Sequence, residues 1–237
     1  MNIRLILPLQ AETLDKQPAT IRFMTRQRPP RSSASRRAPA QRVRKPAGKP
    51  VGKPVGKLRI IGGEFRRRQL PVLDSPGLRP TPDRVRETLF NWLGQQLFGQ
   101  HVLDLFAGTG ALGIEALSRG AAFVDFVERD PRVSAQLSAN LELLNISSSA
   151  VHINDVQAYL TRPATPYALV FLDPPFHQEL AAPCCLALEN GGWLTDEAMI
   201  YLETETSLAP NVPANWQLHR ETQAGESTAR LYQRHVQ

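Results

Sequence analysis

The chain has 237 residues, with 28 Lys and Arg against 22 Asp and Glu, a net charge of +6 and 42% hydrophobic residues. Its only cysteines, Cys184 and Cys185, are adjacent, which excludes a disulfide framework and a spaced zinc pair and predicts buried thiols in a reducing cytoplasm. The apolar patch from Leu5 to Leu9 is short and interrupted by Pro8, so neither a signal peptide nor a membrane span is expected there.

In chain order the first element is a basic tail, residues 1–57. It holds 14 of the basic residues against two acids, Glu12 and Asp15, a charge of +12 that leaves −6 on the other 180 residues. Every lysine lies in it; Pro, Gly, Ser and Arg dominate from Gln27 to Lys57, and Gly-Lys-Pro-Val recurs between residues 48 and 55. Such a composition cannot bury a core and predicts disorder. A flexible cationic arm would hold RNA phosphates by releasing counterions, without choosing a sequence. A merely solvated tail, or translation from Met24, are the other readings.

Residues 58–97 read as an extension. Ile60 to Leu73 suggests a short hairpin bearing Arg66, Arg67 and Arg68. Thr81 is expected to cap a helix with Pro82 at its first position, followed by Arg84, Val85 and Leu89. Arg79, Arg84 and Arg86 would join the triple arginine in a basic rim over a functional site and contact phosphates.

From residue 98 to 237, strand and helix signals alternate. Apolar stretches at 101–106, 121–127, 150–154, 167–172 and 198–203 are separated by helical segments. The pattern predicts an α/β fold with a largely parallel sheet. Stretches near 216–222 and 229–235 are close enough to pair as an antiparallel hairpin. Asp104 opens the glycine-rich turn Asp104-Leu105-Phe106-Ala107-Gly108-Thr109-Gly110, Glu128 ends the second stretch and Asp155 follows the third. In an open α/β sheet these strand ends share the ligand-binding edge.

Glycines at 108 and 110 with Glu128 downstream suit a dinucleotide or an adenosyl sulfonium cofactor. The acids favour the second: a pyrophosphate would meet Asp104 unfavourably, whereas S-adenosylmethionine (SAM) brings an ammonium and a sulfonium. Caps and turns remain the bland alternative for Asp104 and Asp155, and an exposed strand end for Glu128. The fourth strand, Ala168 to Leu172, runs into Asp173-Pro174-Pro175-Phe176. There an acidic oxygen and a proline carbonyl can accept both protons of an exocyclic amine while Phe176 stacks on its base. His177 reads as a loop histidine without a role.

Several segments together carry a narrower resemblance. They are Leu58-Arg59-Ile60-Ile61-Gly62-Gly63-Glu64-Phe65-Arg66, Leu78-Arg79-Pro80-Thr81-Pro82-Asp83-Arg84-Val85-Arg86-Glu87-Thr88-Leu89-Phe90-Asn91-Trp92-Leu93, the glycine turn with its helix, Asp-Pro-Pro-Phe and the tail from Gly225 to Arg234. From about Leu58 onward the chain resembles the bacterial small-subunit ribosomal RNA guanine-N2 methyltransferases, the methyltransferase D family. Two features depart from that pattern: Arg67 stands where a Gly is expected, and residues 1–57 have no counterpart.

The resemblance implies a Rossmann-like SAM-dependent methyltransferase fold with a seven-stranded sheet and a C-terminal antiparallel hairpin. It implies catalysis by Asp173, Pro174, Pro175 and Phe176. Cofactor contacts would come from Asp104, Phe106, Gly108, Gly110, Glu128 at the ribose hydroxyls and Asp155 at the adenine. Arg66, Arg68, Arg79, Arg84 and Arg86 would contact RNA, and no metal is expected. The implied substrate is 16S rRNA or an assembling 30S subunit, with a flipped or unpaired target guanine and a monomeric enzyme. The rival readings are an adenine-N6 methyltransferase on DNA or RNA, and a non-catalytic RNA-binding or ribosome-assembly protein.

Overall fold

The computed structural model describes residues 54–73 and 81–236. Most of the expected basic tail, and Arg79, lie outside the described residues. Strands β1 (Pro54–Arg59) and β2 (Gln69–Leu73) pair antiparallel, and α1 (Asp83–Leu93) leads through a short 3-10 turn, Gly94–Leu97, into β3 (His101–Asp104). Then α2 (Ala111–Ser118), β4 (Phe123–Glu128), α3 (Pro131–Leu143), β5 (Ser149–Ile153), α4 (Val156–Tyr159), β6 (Tyr167–Leu172), α5 (Ala181–Asn190) and β7 (Leu194–Glu205) alternate. The last elements are β8 (Trp216–Ala224) and β9 (Ser227–Arg234).

Seven strands form one sheet in the order β5-β4-β3-β6-β7-β9-β8, parallel from β5 to β7 and antiparallel at β9 and β8. The predicted fold is borne out, including the closing hairpin. The sequence periodicity explains why. Leu169 and Phe171 of β6 face one apolar cluster with Val102, Phe126 and Tyr201, while Val170 and Leu172 face a second with Leu103, Val127 and Trp193. A strand covered on both faces needs no polar alternation, and each fully buried Leu or Phe contributes about 1.5–3 kcal/mol. Pro174 and Pro175 have no N–H to extend the ladder, so β6 stops at Leu172.

The extension is docked on the first cluster rather than appended to it. Leu58, Ile60, Leu70 and Val72 of the hairpin pack there with Val85, Leu89, Phe90 and Leu93 of α1. The hairpin is longer than expected, since Pro54–Lys57 lie in β1 rather than in the tail. Its turn closes on α2. The fully buried Glu115 carboxylate accepts from Ile61 N and Gly62 N, both at 2.8 Å, and from Arg119 Nε at 2.8 Å. Ser118 continues the seam: its carbonyl accepts from Glu64 N at 2.7 Å and its hydroxyl from Phe65 N at 3.0 Å. Gly63, at φ +72°, sits so close that a Cβ would lie 1.7 Å from the Ser118 oxygen.

One local expectation is corrected, and the departure at Arg67 proves to be conformational. Thr81 does not cap α1: the cap position is Pro82, without a side-chain bond, and the Thr81 hydroxyl reaches Asp173 Oδ2 at 3.3 Å instead. Arg67 adopts φ +70°, the left-handed backbone that a glycine takes freely and an arginine does not, at the position where the family pattern suggests Gly.

Candidate active site

The carboxyl edge of β3, β4 and β6 gathers the predicted residues. Gly108 at φ +51° and Gly110 at φ +76° turn the chain from β3 into α2. Two carboxylates hold that turn: Glu128 Oε2 accepts from Gly108 N at 2.9 Å, and Asp104 Oδ2 accepts from Gly113 N at 3.0 Å. Glu128 Oε1 accepts from Asp130 N at 2.7 Å, which aims the half-buried carboxylate across the mouth of the turn. Phe106 is half-buried against the second cluster. Asp155 is exposed, and its Oδ1 caps α4 through Gln157 N and Ala158 N. The bland reading of Asp155 as a cap is therefore met by one of its oxygens.

Asp104 is 2% exposed. Burial, and then the like charge of Glu128, push its carboxyl up to about 7, with the Gly113 amide opposing them. Among the described residues no cation pairs with it. A buried carboxylate in that position suits a ligand ammonium, and Glu128 in its orientation suits vicinal hydroxyls. The residues present thus fit SAM.

Asp173 lies beyond the end of β6 on the face shared by Phe171 and Tyr201. Burial chiefly, then Glu203 and Asp104, push its carboxyl well above the usual range, with the Thr81 hydroxyl opposing them. Pro174 is buried, Pro175 exposed and Phe176 exposed at 36%, so an aromatic face stands at the surface beside the carboxylate. Glu205 at the end of β7 anchors the loop that follows, accepting from the backbone N of His177 and lying 3.3 Å from its Nδ1. The histidine expected to be idle tethers this loop. Tyr201, Glu203 and Glu205 are functional-site neighbours that sequence reasoning passed over; their alternation on a strand beside β6 was the available signal.

The basic residues do not form the expected rim. Arg86 is 1% exposed and bound within the fold to Asp83 Oδ1 at 2.5 Å, Glu115 at 3.5 Å and the carbonyls of Thr81 and Arg59. It stabilises the seam of the extension and is withdrawn as an RNA contact. Arg66, Arg67 and Arg68 are exposed, but their turn lies against Ser118 and Leu143 at the carboxyl ends of α2 and α3. That is the amino edge of the sheet, away from Asp173. Arg84, exposed on the first turn of α1, is on the active-site side because Thr81 three residues earlier touches Asp173.

A Rossmann-like sheet with an acid-held glycine turn and a strand ending in Asp-Pro-Pro-Phe defines a SAM-dependent methyltransferase. The same fold recurs in a Streptococcus mutans structure described as a SAM-dependent methyltransferase, at TM-score 0.57 and 17% identity, covering 70% of this chain and 52% of that one. The solved structure of the Escherichia coli protein yhhF is nearer, at TM-score 0.73 and 50% identity, covering 77% of this chain and all of that one. The Ribosomal RNA small subunit methyltransferase D of Escherichia coli is 52% identical over 182 residues, 76% of this chain and 92% of the relative. Residues 58–233 match the family described as Conserved hypothetical protein 95. The chain belongs to that family, and the resemblance drawn from the sequence is borne out.

Proposed function

We propose that the chain transfers a methyl group from SAM to the exocyclic N2 of one guanine in 16S rRNA. The observation that carries this is the placement of Asp173, the Pro174 carbonyl and the exposed Phe176 on the same sheet edge as Glu128 and the Gly108–Gly110 turn.

Bound SAM supplies an electrophilic methyl on a sulfonium. The chain's own residues position and polarise the acceptor. Gly108 and Gly110 admit the methionine portion, Asp104 holds its ammonium, Glu128 takes the ribose hydroxyls, Phe106 flanks the cofactor and Asp155 presents its second oxygen to the adenine amino group. Guanine N2 is a weak nucleophile because its lone pair is delocalised into the ring. Asp173 and the Pro174 carbonyl accept its two N–H bonds and turn that lone pair toward the methyl, a gain in orientation rather than in intrinsic reactivity. Phe176 stacks on the guanine, Pro175 fixes the turn between them, and Asp173 receives the proton that the methylated nitrogen sheds.

Arg84 and, by resemblance, Arg79 hold phosphates near the site. Arg66 and Arg68 engage RNA farther along the hairpin, so the bound RNA extends from one edge of the sheet to the other. The basic tail adds sequence-independent attraction, and its deletion should flatten the salt dependence of binding. Among the described residues no helix is long and apolar enough to cross a membrane. The enzyme acts as a monomer in the cytoplasm, on 16S rRNA or an assembling 30S subunit.

The test is incubation with methyl-labelled SAM and small subunits, or their RNA, from cells lacking this activity, followed by digestion to nucleosides. N2-methylguanosine is the expected product. N6-methyladenosine would replace this reading with the adenine enzyme, and no label would leave an RNA-binding protein.

A further inference from the structure

A third carboxylate stands at the catalytic edge. Glu203 is 5% exposed. Leu202 is level with Leu172 across β7 and β6, so Glu203 lies beside Asp173, and strand alternation puts both on the face of Phe171 and Tyr201. Those two rings meet edge to face at 6.2 Å, and the fully buried Tyr201 hydroxyl donates to Glu203 Oε2 at 2.7 Å.

Among the described residues, the groups facing this pair from the neighbouring elements are few. Asp104 comes from β3, with Glu128 behind it; Thr81 precedes α1; β9 presents Ala229 opposite Glu203. The nearest arginine on β9, Arg230, directs its guanidinium to Glu221 and Thr204. A buried carboxylate is ordinarily paired with a cation or kept protonated. Here Glu203 has a hydroxyl donor at short range and another carboxylate alongside, while the Thr81 bond to Asp173 is longer. The Tyr201 hydroxyl thus fixes a Glu203 oxygen beside Asp173, whose own donor, Thr81, is the more distant.

We infer that Glu203, fixed by the Tyr201 hydroxyl, is a positioning residue for the methyl transfer that acts through Asp173, its buried charge making Asp173 a stronger acceptor for the proton that N2 gives up. The inference rests on the role proposed above for Asp173. The step balances: the N2–CH3 bond forms as the C–S bond breaks with its electron pair left on sulfur, and the cationic nitrogen loses one proton to Asp173. That proton passes to water when product leaves. Burial chiefly, and then the like charge of Glu203, hold Asp173 well above the ordinary carboxylate range.

The test compares wild type, Glu203→Gln, Glu203→Asp, Tyr201→Phe and Asp173→Ala by SAM binding and single-turnover methylation of small-subunit RNA from pH 5.5 to 9. Glutamine keeps the shape and can still accept from Tyr201. Expected for Glu203→Gln is SAM affinity within about twofold and a rate at pH 8 lower by about tenfold, a fraction of the ~10² to 10⁴ that a general base contributes. The acid limb of its rate profile should move to lower pH by about a unit or more, because a like charge has gone. Glu203→Asp should restore part of that shift, and Tyr201→Phe should fall between. A wild-type rate and limb in Glu203→Gln overturn the inference. So does a loss confined to thermal stability and SAM affinity that saturating SAM repairs. If Asp173→Ala itself stays active, the reading of Asp173 fails instead, whatever Glu203→Gln does.

Discussion

Replacing Glu115 by Ala should cost far more than its place outside the chemistry suggests. Its carboxylate is fully buried, receives two backbone amides of the hairpin turn and the Nε of Arg119, and faces Arg86, itself 1% exposed, at 3.5 Å. Truncation leaves the Arg86 guanidinium buried with Asp83 as its remaining anion. Breaking a buried ion pair by removing one partner costs about 3–5 kcal/mol. The freed amides of Ile61 and Gly62 add little, because those residues are only half-buried. A loss of about 4 kcal/mol in a domain of this size lowers Tm by roughly 8–16 °C. Urea unfolding followed by circular dichroism measures it, and hydrogen exchange should accelerate at the amides of Ile61, Gly62 and Glu64. A loss below about 1 kcal/mol with those amides still protected would refute the claim that this carboxylate holds the extension to the sheet.

Asp173→Ala should lose roughly 10²-fold or more in single-turnover rate while SAM still binds; near-normal turnover ends its assignment. Glu128→Ala should act first on SAM affinity, measured by calorimetry, and a normal Kd removes it from the ribose. Affinity for SAM should also depend on pH: Asp104 takes its proton at about 7 in the free protein, and a ligand ammonium favours the charged form. Binding then releases a proton, so Kd weakens by up to tenfold per unit below about pH 7 and levels off above it; a flat Kd from pH 5.5 to 8.5 contradicts the contact. Arg67→Gly removes a left-handed arginine worth about 1–2 kcal/mol of strain and adds about 0.5–1 kcal/mol of unfolded-chain entropy. The urea midpoint should rise by about 0.5–1 kcal/mol equivalent, and a fall would show that the turn is not strained.

What the sequence displayed and what it concealed divide by the range of the interaction. The run into Asp173 and the glycine turn after Asp104 were legible because apolar continuity, prolines and glycines act within a few residues. Thr81 before Pro82 has every local mark of a cap, yet its hydroxyl was taken by Asp173, 92 positions away. Arg86 could have been placed correctly, since it shares the helical stripe of Leu89, Phe90 and Leu93, three, four and seven residues on. Glu115 was conspicuous as a lone acid in the otherwise apolar Ala111–Ser118, a pattern that signals a buried partner without naming it. Glu203 alternates with Tyr201 and Glu205, which marks one strand face, but that pattern does not say which strand lies beside it, because the pairing of β6 with β7 is a property of the sheet.

The seam at Glu115 and Ser118 joins segments more than fifty positions apart. One helix therefore carries the glycine turn at its first residue and the arginine-bearing hairpin at its last. Any RNA that grips that hairpin tugs on the same short rod that frames the proposed SAM pocket. For a chimera made between relatives, the transplantable piece is not the hairpin but the hairpin together with α2; exchanged alone, each would arrive with the other's socket missing.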